Sequence, residues 1–196
     1  MIKTIFQLKN EYYTYKNVLC KISHEEKLGN IVRLKRGLYE TDKTIDPILL
    51  SNHIVSPSYI SFETALSYYG LIPEKVYTIT GASFNKQKTK LFKNYFGTFT
   101  YNDIPKNVYS DSILLDTSKE YGFLIASKEK AILDMLYKAK TVKSTKEIET
   151  LLFDDFRIDE ADFSRLDFSL FKTIGSKYYD KNISLLLQYL KENMNE

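Results

Sequence analysis

The chain has 196 residues, 43% of them apolar, with a net charge of +3 and a mean hydropathy of -0.31. That suffices for one or two domains with an ordinary core. No apolar run approaches the roughly 20 residues of a membrane-spanning helix. The opening residues, MIKTIFQLKNEYY, lack the apolar stretch and small-residue cleavage site of a secretory leader. A single cysteine, Cys20, excludes an internal disulfide and suits a reducing cytoplasm.

In chain order, TYKNVLCKISHEEKL (14–28) predicts a helix capped by Thr14 and stopped by Gly29. Tyr15, Val18, Leu19 and Ile22 form its apolar stripe, with Cys20 on or near it as a buried thiol. Asn17, Lys21 and His24 fall on the opposite face. The helix leads into IVRLKRGLYE (31–40), which reads as a strand, a turn at Lys35-Arg36-Gly37 and a second strand. A helix followed by a small basic hairpin is the second half of a winged-helix module, with only residues 1–10 left for a preceding helix.

Asp46-Pro47 then starts a helix that runs to about His53, and Ser56-Pro57 ends it. Ser61 is placed to cap SFETALSYYG, with Gly70 at its C-terminus. Strands are expected at 76–80, 97–104 and 123–126. The lysines at 86, 88, 90 and 93 lie between the first two, in a segment read as a solvated hairpin loop. Ser127 caps SKEKAILDMLYK, whose Ala131, Ile132, Met135 and Leu136 face inward, and Ser144 to Glu147 matches a capping box. Helical stretches around 160–174 and 181–194 complete the chain. The predicted fold class is α+β: an N-terminal winged-helix-like module (1–42), then a small mixed sheet packed with C-terminal helices (43–196).

Charge is distributed unevenly. Residues 1–100 hold 14 Lys+Arg against 8 Asp+Glu, and residues 101–196 hold 14 against 17. A basic front half points to a polyanionic partner. Lysine outnumbers arginine 24 to 4 in an Asn-, Ile- and Tyr-rich chain, however, and such a composition scatters lysines over any solvated face. Motifs for catalysis are missing. Two histidines and one cysteine make no zinc-ligand spacing, and the seven glycines make no phosphate-binding loop. The triplet Glu25-Glu26-Lys27 reads as a solvated charge cluster, since i and i+2 residues do not share a helix face. Asp154-Asp155 reads as a turn. No cofactor or metal is expected, and no enzymatic activity.

The basic features suit DNA. Lys16 and Lys21 are placed to meet phosphates, and Asn17, Lys21 and His24 to reach base edges in a major groove. Arg33, Lys35 and Arg36 would clamp the adjoining backbone. The plainer reading makes all of these ordinary exposed residues of a small helix and hairpin.

Several segments together resemble the AbiEi family of antitoxins and transcriptional regulators of bacterial type IV toxin–antitoxin systems. They are KRGLYE (35–40), SPSYISFETALSYYGLIPEKVYTIT (56–80), GTFTYNDIP (97–105), IASKEKAILDMLYK (125–138) and ETLLFDDFRID (149–159), followed by the final amphipathic helix. The resemblance implies a cytoplasmic, non-enzymatic repressor-antitoxin. Its N-terminal winged helix would bind operator DNA in the promoter of its own operon. Its C-terminal domain would oppose a co-encoded nucleotidyltransferase-like toxin without needing a stable complex. The recognition helix then falls on residues 14–28 and the wing on 31–40. The short N-terminus and the carboxylates Glu25 and Glu26 late in that helix lead to a second reading: a protein-interaction module that neutralises its toxin by direct contact and does not bind DNA.

Overall fold

A computed structural model describes residues 1–86, 88–119 and 121–193. The chain opens with a short strand, β1 (Ile2–Thr4), that passes directly into helix α1 (Ile5–Glu11). Thr4 and Gln7 form a reciprocal capping box: the Gln7 amide donates to Thr4 Oγ1 at 3.3 Å, and the Thr4 amide to Gln7 Oε1 at 2.7 Å. Helix α2 (Val18–Leu28) ends at Gly29, which takes a positive φ of 75°. Strands β2 (Val32–Lys35) and β3 (Leu38–Glu40) meet at a tight turn where Gly37 has φ 81°. Strand β3 lies between β1 and β2, antiparallel to both. Leu8, Ile22, Ile31 and Tyr39 form the small core of this unit.

Two expectations for α2 are corrected. The cap is Asn17, not Thr14: Asn17 Oδ1 accepts the Cys20 amide at 3.1 Å, while the preceding residues turn, with the Tyr15 amide on the Tyr12 carbonyl at 3.0 Å. The inward positions are Val18, Ile22 and Glu25, at i, i+4 and i+7, so Leu19 is 58% exposed and Tyr15 lies outside. Cys20 is exposed, not buried. It stands two residues from buried Ile22, about 200° around the helix at 100° per residue.

The rest of the chain builds a mixed six-stranded sheet: β4 (Tyr59–Ile60), β5 (Thr78–Ser83), β6 (Lys90–Asn94), β7 (Gly97–Asp103), β8 (Ile113–Asp116) and β9 (Phe123–Ala126), in the order β6-β7-β5-β4-β9-β8. The pairs β5/β7 and β4/β9 are parallel, and the others antiparallel. The lysine-bearing segment read as a loop contains β6, in register with β7 from Lys90 opposite Tyr101 to Asn94 opposite Gly97. Strands β4 and β8 also join the sheet. Neither had been expected, and the two residues of β4 are too few for a period-2 pattern to declare itself.

The helix at Asp46-Pro47 is a 3-10 turn (Pro47–Leu50) followed by α3 (Ser51–Ile54), with Asp46 Oδ1 accepting the Ile48 amide at 3.0 Å. Helix α4 (Phe62–Tyr68) starts after Ser61, but the Ser61 hydroxyl does not cap it. That hydroxyl donates to Asp134 instead, and Thr80 Oγ1 accepts the Thr64 amide at 3.1 Å. Helix α5 (Lys128–Lys138) carries the expected Ser127 cap, and α6 (Thr145–Thr150) the expected Ser144 cap. The chain continues from α6 through a wider π turn (Leu151–Asp155) that includes Asp154 and Asp155. The stretch 160–174 splits into α7 (Glu160–Phe163) and α8 (Phe168–Gly175), because Asp167 Oδ1 accepts the Ser169 and Leu170 amides and starts a new helix. Helix α9 (Lys181–Asn193) follows, with Ile183, Leu186 and Leu190 buried.

The main core lies between the sheet and helices α4, α5, α8 and α9, around Tyr59, Ile60, Leu66, Phe123, Ile132, Phe163, Phe171 and Leu186. A second apolar cluster joins Leu34 and Leu38 of the N-terminal hairpin to Leu50, Ile54, Val55, Phe99 and Tyr101. Packing therefore runs across residue 42, the expected module boundary. No described helix is long and apolar enough to cross a membrane.

Candidate nucleic-acid interface

The expected DNA-contacting residues all lie in the N-terminal unit, but the fold leaves them in different states. Lys16 and His24 are exposed on the segment leading into α2 and on its outer side. Asn17 is exposed too, with its side-chain oxygen engaged as the helix cap. Lys21 is half-buried. Its ammonium donates to Glu25 Oε1 at 2.5 Å and stands 4.8 Å from the Tyr15 ring centre. The Glu25 carboxylate holds the Lys21 pKa above its ordinary value. In turn, the Lys21 ammonium and then the Asn30 side-chain amide, at 2.6 Å, hold the Glu25 carboxyl below the usual range. Glu25 can sit at an inward helix position because both its oxygens are engaged.

In the hairpin, Arg33 Nη2 donates to Glu26 Oε2 at 2.6 Å, although the Arg33 side chain keeps about half of its surface in solvent. Lys35 is drawn back onto the protein, its ammonium donating to the Ile54 carbonyl at 2.6 Å. Burial lowers the Lys35 pKa, and the positive charges of Lys90 and Lys86 lower it further. Arg36, at the turn, is exposed and forms no ion pair among the described residues. Lys27 on α2 is also exposed. The unit thus presents Lys16, His24, Lys27 and Arg36 outward, with Arg33 and Lys21 shared with its own carboxylates.

A dense interior polar cluster that sequence reading missed lies elsewhere in the fold. Asp134 of α5 is fully buried. Its Oδ1 accepts from Lys130 Nζ at 3.0 Å and Tyr178 OH at 2.5 Å, and its Oδ2 from Tyr59 OH and Ser61 Oγ, each at 2.8 Å. Lys130 Nζ also donates to Tyr178 OH and faces the Tyr178 ring at 4.8 Å. Burial lowers the Lys130 pKa and raises those of Tyr59 and Tyr178. The cluster ties β4, α4, α5 and the loop before α9 together. Every group in it is paired, and its Lys and Asp side chains have no exposed surface, so it reads as structural. The one sequence signal for it was the Lys130/Asp134 spacing of i, i+4, on a helix whose neighbouring positions are apolar.

Among the described residues no group of three or more His, Cys, Asp or Glu side chains is placed to hold a metal ion. A cleft of about 750 Å³ lies between the turn after α4 and the segment before α7, lined by Gly70, Pro73, Asp154, Arg157 and Asp159. Its Arg157 is paired with Glu74. No protein-family model matches the chain, and no curated protein matches it.

Proposed function

We propose that the chain is the cytoplasmic antitoxin of a bacterial type IV toxin–antitoxin system and a DNA-binding repressor of its own operon. It would counteract a nucleotidyltransferase-like toxin. One observation supports the DNA-binding half most directly: the order β1-α1-α2-β2-β3, with β3 between β1 and β2 and the outer side of α2 left uncovered. That is the order of a winged helix from its first strand onward, with α1 and α2 as the helix-turn-helix pair and β2-β3 as the wing. Lys16, His24, Lys27 and Arg36 then face the duplex. Resemblance of residues 56–80 and 125–138 to AbiEi proteins supports the antitoxin half.

A gel shift with DNA from directly upstream of the gene tests the first half. Binding is expected, weakening steeply between about 50 and 200 mM salt. Glutamine at Lys16, Lys27 and Arg36 together is expected to weaken it for every sequence. Unchanged affinity of that variant would remove α2 and the turn from the interface. Co-expression with the adjacent toxin gene tests the second half, and the expected outcome is restored growth.

The ties of Arg33 to Glu26 and of Lys35 to the Ile54 carbonyl favour a second reading, in which this unit binds the toxin directly and no DNA. Co-purification of the untagged toxin, with no gel shift, is its signature.

A further inference from the structure

The six-stranded sheet ends in β6 on one side and β8 on the other, and the two ends are built differently. Unpaired amides and carbonyls on an end strand invite a further strand, and charged side chains, lysine above all, block that pairing. Strand β6 (KLFKN) carries Lys90 and Lys93. Strand β8 (ILLD) carries no cation, and its one charged residue is Asp116. Asp116 is engaged within its own chain: its Oδ2 accepts the Tyr68 hydroxyl at 2.7 Å, and its Oδ1 accepts the Ser118 amide at 2.8 Å and the Ser118 hydroxyl at 2.6 Å. Beside it, Leu114 is 49% exposed, Leu115 64%, and Leu124 of the adjoining β9 39%.

The hydrogen bonding shows which backbone groups of β8 face outward. The strand pairs with β9 in antiparallel register, Leu114 opposite Ile125 and Leu115 opposite Leu124. Just before the strand, the Ser112 carbonyl accepts the Ser127 amide at 2.9 Å, while the Leu124 amide turns away from β8 to Asn52 Oδ1 at 2.8 Å. Hydrogen-bonded and non-hydrogen-bonded pairs alternate along an antiparallel ladder. Leu114 and Asp116 therefore point their backbone groups to β9, and Ile113 and Leu115 point theirs out of the sheet. No other segment among the described residues takes up those outward groups.

We propose that β8 is the self-association edge of this chain: two copies pair their β8 strands antiparallel about a two-fold axis at Leu114, independently of what the N-terminal unit binds. The strand is complementary to itself in that register. Ile113 of each copy exchanges both backbone hydrogen bonds with Leu115 of the other, and the two Leu114 residues meet at the close, non-hydrogen-bonded position, with Cα atoms about 4.5 Å apart. Asp116 falls opposite Ser112, so no carboxylate faces a carboxylate. Leu115 and Leu124 share a sheet face, on which Leu115 gains the second copy's Ile113 as its neighbour. Any extended segment could take the same amides; the match of this strand to itself selects a second copy. Four residues and three leucine side chains cover less than the roughly 800 Å² per partner of a standard stable interface, so the dimer is expected to dissociate in the micromolar range.

Sedimentation equilibrium of the full chain between about 1 and 200 µM reads the mass, from 22.9 kDa for one copy toward twice that for two. Leu115→Lys places two cations near the axis, and Leu115→Pro removes an outward amide that β9 does not use. Leu91→Lys, at an exposed position of β6, is the control, and circular dichroism confirms that each variant is folded. Cysteines in a Cys20→Ser background fix the register, since Cα atoms about 4.5 Å apart lie within disulfide reach. Leu114→Cys brings two thiols together at the axis, whereas Leu115→Cys places each beside Ile113 of the other copy. Wild type and Leu91→Lys are expected to shift toward the dimer over this range, and both Leu115 variants to associate at least about tenfold more weakly. Oxidation is expected to cross-link Leu114→Cys at least about tenfold faster than Leu115→Cys. Wild type that stays monomeric at about 200 µM overturns the proposal and leaves the edge to strands of other proteins. A dimer that both Leu115 variants leave intact overturns it too, as does a dimer lost in Leu91→Lys, which would put the interface at β6. Equal cross-linking at positions 114 and 115 would report random collision and overturn the two-fold pairing.

Discussion

Replacing Asp134 by Asn removes one charge and almost no volume, yet it strikes the densest polar contact in the molecule. The Lys130 ammonium would keep its buried position with no counter-charge, and Tyr178 and Tyr59 would lose a charged acceptor. Removing one partner of a buried ion pair costs roughly 3–5 kcal/mol. With a urea slope of about 2–3 kcal/mol/M for a chain this size, the unfolding midpoint falls by roughly 1 to 2.5 M. Lys130→Met is expected to cost less, because the Asp134 carboxylate keeps three hydroxyl donors in Tyr178, Tyr59 and Ser61. The pH dependence carries a sign. Burial already holds the Lys130 pKa below its ordinary value, and Asp134 opposes that lowering. In Asp134→Asn the folded pKa sinks further while the unfolded value stays near about 10.4. Between the two the unfolded chain binds more protons, so stability of the variant rises with pH, by up to about 1.4 kcal/mol per unit, and levels off above the unfolded value. Urea titrations at several pH values between 6 and 10 measure both quantities. A loss under about 1 kcal/mol with no upward pH trend would refute the reasoning, since it would mean that water reaches the ammonium.

Three further outcomes are expected. Phe62, buried at the start of α4, has φ 58°; Phe62→Gly should therefore be more stable than Phe62→Ala by about 1 kcal/mol in urea titration, the reverse of the ordinary helix order. Glu26→Gln releases Arg33 from its carboxylate, so on the proposed reading DNA affinity rises several-fold with a salt slope steeper by about one, while stability changes by less than about 1 kcal/mol; unchanged affinity would place Arg33 outside the interface. Cys20 should react stoichiometrically with Ellman's reagent in the native protein, and protection until unfolding would contradict the observed turn of α2.

Residues that act on their near neighbours were readable in advance. Ser127 and Ser144 cap their helices through amides three residues on, Gly29 and Gly37 supply the positive φ their turns need, and the alternation of 97–103 declares a strand. These devices depend on a few adjacent dihedral angles and survive any tertiary arrangement. Reading failed where a group had two possible partners and the distant one won. Ser61 had the signature of a cap, but its hydroxyl belongs to Asp134, 73 residues away. Tyr15, Leu19 and Ile22 had helical spacing, but packing against Leu8, Ile31 and Tyr39 selected Ile22 with Val18 and left Leu19 in solvent.

The candidate interface divides along the same line. Its cations, its helix and its hairpin are properties of the local chain. Which cations remain available is not: Arg33 was taken by Glu26, Lys35 by the Ile54 carbonyl, and Lys90 was carried to the hairpin's side of the sheet by a strand whose pairing no local pattern specified. A side chain's own chemistry is written at its position, whereas its electrostatic surroundings are set by whatever the burial of remote apolar residues such as Leu34, Phe99 and Tyr101 brings alongside it.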